Sequence, residues 1–307
     1  METNRAETGK IDHRPQVVLI TDRGFLPPTL FALWGLLRHL SVPGTVHFWG
    51  SQLTEKDWDD VRRVVQTNPL VTLKCLDLTE DELGGDTGNA GLTAAGLGRL
   101  KIAEKLSGRV LYLDGDTHVR EDIAPLFSLD LDGCPIAAVR DYVVAKWAAR
   151  KILVSRKYAH RMKYLQDMLQ QNDFSAYFNA GVLLIDTDAI RAEPDIYEAM
   201  RDIAGAKTYA LADQDHLNKV FNGRAFMLNP AFNSSWSRTA GQRRNSRALG
   251  GSAHEYAPLP DCIVHFHGGP KPWKKARKDI WKSRGRAAWR YRRELTIFRG
   301  LYPGIKI

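Results

Sequence analysis

Cysteine is scarce: Cys75, Cys134 and Cys262 are the only three in 307 residues. An odd, widely spaced set offers neither a disulfide framework nor the close pairing of a zinc site, so a reduced, cytosolic chain is expected. Long apolar runs are missing, and none approaches the roughly 18–20 residues that a membrane span needs. The opening Met1-Glu-Thr-Asn-Arg-Ala-Glu is polar and mixed in charge, unlike a signal peptide. What remains is 44% hydrophobic and 26% charged, a globular composition that excludes a disordered or fibrous chain. The length allows one large domain or two modest ones.

Acidic side chains are scarce in one place. The formal charge is +9, yet residues Lys271 to Arg299 hold 12 Lys and Arg against only Asp279 and Glu294. The rest of the chain is left with 32 basic and 33 acidic side chains and is close to neutral. A protein coated in positive charge for nucleic acid is therefore disfavoured and no nucleic acid is expected as a partner, whereas a tail that docks on something anionic is favoured.

Residues 1–16 are polar and read as a flexible segment. Short β-branched or apolar runs then alternate with helical spacings. Strands are expected at Val17–Thr21, Thr45–Trp49, Thr72–Leu76, Arg109–Leu113, Pro135–Val139, Gly181–Ile185 and Ile263–Phe266. Helices are expected at Leu30–Leu40, Glu55–Val65 and Thr93–Leu106. This alternation predicts an α/β domain with a largely parallel, Rossmann-like sheet flanked by helices, in which ligands gather at the carboxyl ends of the strands. Asp22, Asp114 and the segment after Phe266 all fall at such ends. Ser234–Pro260 is rich in Ser, Gly, Arg and Asn without periodicity, and reads as a long mobile surface loop.

Two segments carry recognisable chemistry. In Leu111-Tyr-Leu-Asp114-Gly115-Asp116-Thr an apolar strand delivers two carboxylates two residues apart. Hard oxygen donors of this kind suit Mg²⁺ or Mn²⁺ bridging phosphates, although a plain strand-end turn has the same composition. In Ile263-Val-His265-Phe-His-Gly268-Gly-Pro-Lys271-Pro-Trp273, an imidazole, a glycine and a lysine follow one strand. They could serve the same metal–phosphate unit, with a satisfied core histidine as the alternative.

With Phe178-Asn179-Ala180-Gly181 and Asp213-Gln214-Asp215-His-Leu-Asn218, these segments resemble, in order, the motifs of the family 8 glycosyltransferases, a resemblance running from about Val17 to Trp273. It implies a GT-A fold, Mn²⁺ (Mg²⁺ being possible) as cofactor, a UDP-sugar as donor, and transfer with retention of configuration. Carried over residue by residue, it implies Asp114, Asp116 and His265 as metal ligands. Donor contacts would come from Asp22, Phe25, Arg99, Gly115, Asn179, Ala180, Gly181, Gly268 and Lys271. Gln214, Asp213 and Asp141 would flank the anomeric carbon as catalytic residues. The run Asp22-Arg23-Gly24-Phe25 departs from the Asp-Asp-Asn-Tyr often found after the first strand, and Gly96-Leu-Gly98 lacks the usual aromatic before Arg99. Base contacts and sugar preference are therefore less specified than the metal site.

A hexose, galactose or glucose, moved onto a glycan or glycolipid acceptor such as a lipopolysaccharide core is the expected activity. A self-glucosylating primer and a non-catalytic nucleotide-sugar-binding membrane adaptor are the alternatives. Residues 17–273 would form the catalytic domain and 274–307 a basic, Trp-rich segment. Trp273, Trp281 and Trp289 recur among its cations, and on a helix Ile280, Ala287, Tyr291, Leu295 and Phe298 share one side. Such a helix can lie on an anionic membrane through 274–299, at the inner face of the cytoplasmic membrane, or dock on the body with its basic face solvated. Arg238, Arg243, Arg244 and Arg247, with Arg150, Lys151, Arg156 and Lys157, are candidates to meet a phosphorylated acceptor.

Overall fold

The computed structural model describes residues 14–83, 94–150, 156–274 and 279–307. Most of the expected N-terminal segment, Thr93, four residues of the basic tail (275–278), and the side chains of Arg150, Lys151, Arg156 and Lys157 lie outside the described residues.

Seven strands form the main sheet, in the order β3 (Val71–Asp77), β2 (Gly44–Ser51), β1 (Gln16–Asp22), β4 (Arg109–Leu113), β7 (Phe178–Asp186), β6 (Ile136–Arg140) and β8 (Ala225–Met227). Every neighbouring pair is parallel except the two that involve β7, so β7 alone runs against the rest. The α/β sheet expected from the sequence is thus present and mostly parallel. The antiparallel β7 has a local consequence. It enters the sheet at the edge where β1, β4 and β6 end, which brings Asn179, Ala180 and Gly181 beside Asp114.

The central strands are apolar on both faces because both faces are covered: Val17, Val18 and Leu19 of β1 are fully buried. Helix α1 (Leu26–His39) starts with Pro27 and Pro28 in its first turn, where a missing N–H costs nothing. It is buried almost all round, since it lies between the sheet and the C-terminal helix. Helix α2 (Glu55–Val65) opens on a capping box between Thr54 and Asp57, and buries only Trp58, Val61, Val64 and Val65. The segment expected to be one helix to Leu106 is instead two short helical pieces around a 3-10 turn, Gly98–Lys101. A side chain at Gly98 would come within 3.1 Å of Ile20 and 3.2 Å of Leu78, so the turn lies directly on β1. That contact aims Arg99 across the strand ends.

A second, three-stranded sheet, β5 (Thr117–Val119), β10 (Ile263–His265) and β9 (Ser234–Ser235), sits beside the first. The segment Ser234–Pro260, expected as a mobile loop, is ordered: it supplies β9, helix α6 (Thr239–Ala248) and a 3-10 turn at Ala253–Tyr256. Apart from Trp236, which is buried edge-on to Phe266 at 5.1 Å, its burial rests largely on hydrogen bonds. Gln242 accepts from the Ser235 amide at 2.9 Å and donates to the Asn233 carbonyl at 3.1 Å, and Glu255 takes both arms of Arg140 at 2.6 and 2.9 Å. A polar segment stabilised this way carries no hydrophobic period. Further helices are α3 (Tyr142–Arg150), α4 (Arg156–Leu169) and α5 (Ala212–Val220).

The C-terminal helix α7 (Ser283–Leu301) docks on the body. Ala287, Tyr291, Leu295 and Phe298, the stripe read as a candidate membrane face, are buried instead. Tyr291 meets Phe31 edge-on at 4.7 Å and Phe266 at 4.8 Å, while Phe298 meets Trp34 at 5.6 Å. Burying these rings removes far more apolar area from water than scattered solvent contacts would. Ile280 falls outside the stripe and is 47% exposed, as are Trp281 at 86% and Trp289 at 57%. No described helix is long and apolar enough to cross a membrane.

Candidate active site

Strand β4 ends in a turn that is built tightly. The Asp114 amide donates to the Gly181 carbonyl at 2.8 Å, and Thr117 N returns to the Asp114 carbonyl at 3.1 Å. A Cβ on Gly115 would lie 2.2 Å from Thr29 Oγ1, so only glycine lets the turn rest on α1. Asp116 then leads into β5, whose Thr117 pairs with His265 of β10. One ligand atom each from Asp114, Asp116 and His265 lies within 4.8 Å of the others. His265 Nε2 stands 3.0 Å from Asp116 Oδ1 and 3.5 Å from Asp114 Oδ2, and Lys271 Nζ reaches Asp116 Oδ2 at 2.5 Å.

The donor set fits a divalent cation on its own chemistry. His265 Nδ1 is 3.0 Å from Asn233 Oδ1, while Asn233 Nδ2 donates to Asn179 Oδ1 at 2.9 Å. An amide oxygen only accepts, so Nδ1 carries a proton; Nε2, which can donate to Asp116 in the absence of a metal, would turn its lone pair to a cation bound between the two carboxylates. Three electron-rich atoms turned toward one point repel each other unless a cation is shared among them. A Cβ at Gly181 would sit 2.1 Å from His265 Cε1 and 2.7 Å from Asp114 Oδ2, which would fill this cradle. Burial opposes ionisation of Asp116, but His265 and Lys271 outweigh it and hold the carboxyl well below the usual range.

Arg99 closes the other flank. It donates to Asp114 Oδ1 at 2.8 Å and the Ala180 carbonyl at 2.6 Å, pairs with Asp213 Oδ2 at 2.9 Å, and lies 4.4 Å over the Tyr112 ring. Burial disfavours its charge, yet Asp114 and Asp213 more than compensate and keep it cationic. Asp213 is pushed up to about 6, chiefly by burial, with Arg99 pulling the other way and Asp114 adding to the rise. Tyr112 donates to Asp114 Oδ1 at 2.6 Å, its phenol kept protonated by burial.

Between these flanks, Gln214 Oε1 accepts from Asn179 Nδ2 at 3.0 Å and from the Ala180 amide at 3.2 Å, and Gln214 Nε2 points to Tyr177 Oη at 3.1 Å. Asp141, at the end of β6, lies 3.4 Å from Asn179 Nδ2, with its other oxygen capping Val143 and Val144. Of the residues singled out from sequence, Arg99, Asp114, Asp116, Asp141, Asn179, Ala180, Gly181, Asp213, Gln214, His265 and Lys271 thus form one connected network. Asp22, Phe25 and Gly268 stand apart from it. Asp22 Oδ1 accepts from the Phe25 amide at 2.8 Å, Phe25 meets Trp273 edge-on at 5.8 Å, and Gly268 is exposed with φ +61°.

Sequence reasoning missed the residues that hold this network. Asn233 sits in Asn229-Pro-Ala-Phe-Asn233, which has no distinguishing spacing. Asp215 is fully buried, receives Arg161 at 2.7 Å, Tyr177 at 2.5 Å and Tyr164 at 3.0 Å, and thereby fixes the Tyr177 hydroxyl against Gln214. Its place in Asp213-Gln-Asp was visible, its role was not.

The profile of the glycosyl transferase family 8 matches residues 17–277. The chain belongs to that family. It is similar to General stress protein A of Bacillus subtilis, 27% identical over 198 residues, covering 62% of this chain and 63% of that one. The matched region therefore spans just under two thirds of that relative's length. The lipopolysaccharide 1,3-galactosyltransferase of Salmonella typhimurium is 26% identical over 168 residues, 54% of this chain and 44% of its own. The crystal structure of the galactosyltransferase LgtC, solved with donor and acceptor sugar analogs, superposes with a TM-score of 0.70 at 21% identity, covering 95% of this chain and 96% of that one. The family 8 member described here has the same GT-A fold.

Proposed function

We propose that this chain moves a hexose, galactose or glucose, from a UDP-sugar to a hydroxyl of a glycan acceptor, retaining the anomeric configuration and depending on Mn²⁺. A lipopolysaccharide core or a related surface glycan is the acceptor class we favour. The observation that carries the reading is the convergence of Asp114, Asp116 and His265, with Lys271 at one side and Asn179 and Gln214 at the other. When bound by the first three residues, a divalent cation supplies positive charge for the donor's diphosphate.

Lys271, placed as a point charge beside that position, stabilises the negative charge that grows on the departing UDP. Phe25, Trp273 and Asp22, at the end of β1, are available to the base. Arg99, Asp213 and Asp141 offer polar contacts to the sugar hydroxyls. Gln214 is oriented by three partners, two of them on its carbonyl oxygen, and an amide oxygen so occupied is a poor nucleophile. We infer attack of the acceptor hydroxyl from the face that UDP leaves, its proton passing to the departing phosphate oxygen. A glycosyl–enzyme adduct trapped on any carboxylate would overturn that route.

Residues 17–273 are proposed as the catalytic unit. The exposed Trp281 and Trp289, with the exposed Lys274, Lys282, Arg290 and Arg293, support contact with an anionic membrane surface at the cytoplasmic side. The decisive assay is a panel of UDP-sugars with Mn²⁺, scoring hydrolysis and transfer, run beside Asp116→Asn and with EDTA. Loss of one metal carboxylate should slow turnover roughly 10²–10³-fold, as for removal of one preorganised electrostatic contact. Activity that survives both treatments would remove the reading.

A further inference from the structure

A cavity of about 350 Å³ lies between α3, α6 and the first turn of α7, next to the catalytic network. Its wall carries Lys146, Arg238, Arg244 and Arg286, with Tyr142 and Ser283 among the remaining residues, and it holds no carboxylate. Several inward-facing arginines elsewhere are paired with acids, as Arg99 with Asp114 and Asp213, Arg140 with Glu255, and Arg161 with Asp215. Here, among the described residues, Lys146 and Arg244 have no hydrogen-bond or ion-pair partner. Arg238 rests on the Tyr142 ring at 3.8 Å and donates to the Ser235 carbonyl at 2.9 Å, both neutral groups. Arg286 donates to the Trp281 carbonyl at 2.7 Å. Four cations lining one cavity repel each other, and among the described residues its wall carries no carboxylate, the nearby Asp141 acting on Arg238 alone of the four.

We propose that this cavity is an anion subsite that binds a phosphate group carried by the acceptor. The word acceptor rests on the transferase reading, while the anion site does not. Two features support the assignment beyond the charge. The cavity continues from the catalytic network: Tyr142 follows Asp141, and Arg238 bonds Ser235, which pairs with His265 across β9 and β10. In addition, α6 and α7 both begin on it, and neither has a side-chain cap or an acidic residue in its first turn. Their positive ends add to the cations rather than oppose them. The volume leaves space for the glycan to which a phosphate is attached, and the guanidinium groups offer the forked donors that phosphate oxygens accept.

The test titrates the full chain with inorganic phosphate by calorimetry, comparing the wild type with the double variant Lys146→Gln/Arg244→Gln and with Lys271→Gln. Arg244 is exposed and Lys146 half-buried, and a thermal melt checks that the variant folds. Phosphate affinity should fall about tenfold or more in the double variant, two of four charge-assisted partners being lost, and stay nearly unchanged in Lys271→Gln. An unchanged affinity in the double variant, or a loss confined to Lys271→Gln, overturns the proposal. A second arm compares phosphorylated with dephosphorylated acceptor glycans, and the double variant should lose the preference for the former. A third uses vesicles of phosphatidylglycerol. If the double variant loses only vesicle binding and keeps its phosphate affinity, the patch serves a membrane and the proposal fails. A wild type that binds phosphate here but hydrolyses no UDP-sugar would sink the transferase reading and leave the subsite standing.

Discussion

Asn233→Ala is the sharpest test of how the site is held. The side chain is 3% exposed, accepts the His265 Nδ1 proton at 3.0 Å, and donates to Asn179 Oδ1 at 2.9 Å. Truncation leaves the imidazole free to take the other tautomer or to rotate, so Nε2 is no longer held ready for a cation between Asp114 and Asp116. Loss of such an orienting partner lowers metal affinity by about 10–100-fold, or roughly 1.4–2.8 kcal/mol. The buried Nδ1–H left without an acceptor adds about 1–3 kcal/mol of lost stability. Asn233→Asp separates the two roles. Its carboxylate still accepts from Nδ1, so metal affinity should stay close to wild type. It cannot donate to Asn179, whose oxygen it would repel, so turnover should fall. Mn²⁺ titration followed by electron paramagnetic resonance, paired with thermal unfolding, reads both quantities. Wild-type Mn²⁺ affinity in Asn233→Ala would refute the assignment of the His265 tautomer and the argument built on it.

Gly181→Ala places a methyl group 2.1 Å from His265 Cε1 and should abolish Mn²⁺ binding while the chain still folds; an unaffected Mn²⁺ titration would contradict the cradle. Asp213 keeps its proton up to about 6 when folded, against 3.8 when unfolded. Between those values the native state binds the extra proton, so the contribution of Asp213 to stability falls as pH rises through that window and is level above it. Urea midpoints measured against pH should show that slope in the wild type and lose it in Asp213→Asn. Tyr291→Ala removes a buried ring packed on Phe31 and Phe266 and should cost about 3–5 kcal/mol of unfolding free energy. An unchanged unfolding curve would mean that α7 is not part of the core.

The alternation of strands and helices was legible in the residues alone, because period-2 and period-3.6 patterns follow from local geometry. Helix Glu55–Val65 and strand Arg109–Leu113 have the same bounds in sequence and structure. The residues also marked the chemistry of the strand ends, since Asp114-Gly-Asp116 and His265 to Lys271 are local motifs. Three matters were decided only by tertiary structure. Asn233 was invisible because its role depends on two partners 32 and 54 residues away, and no local pattern encodes such distances. The segment Ser234–Pro260 looked like a loop because its order comes from buried polar pairs around a single buried ring, Trp236, and neither has a hydrophobic period. The stripe of α7 was correctly periodic, but periodicity says only that one face seeks an apolar neighbour. Whether that neighbour is lipid or protein depended on Phe31, Trp34 and Phe266 being brought to meet it, which is a property of the assembled fold.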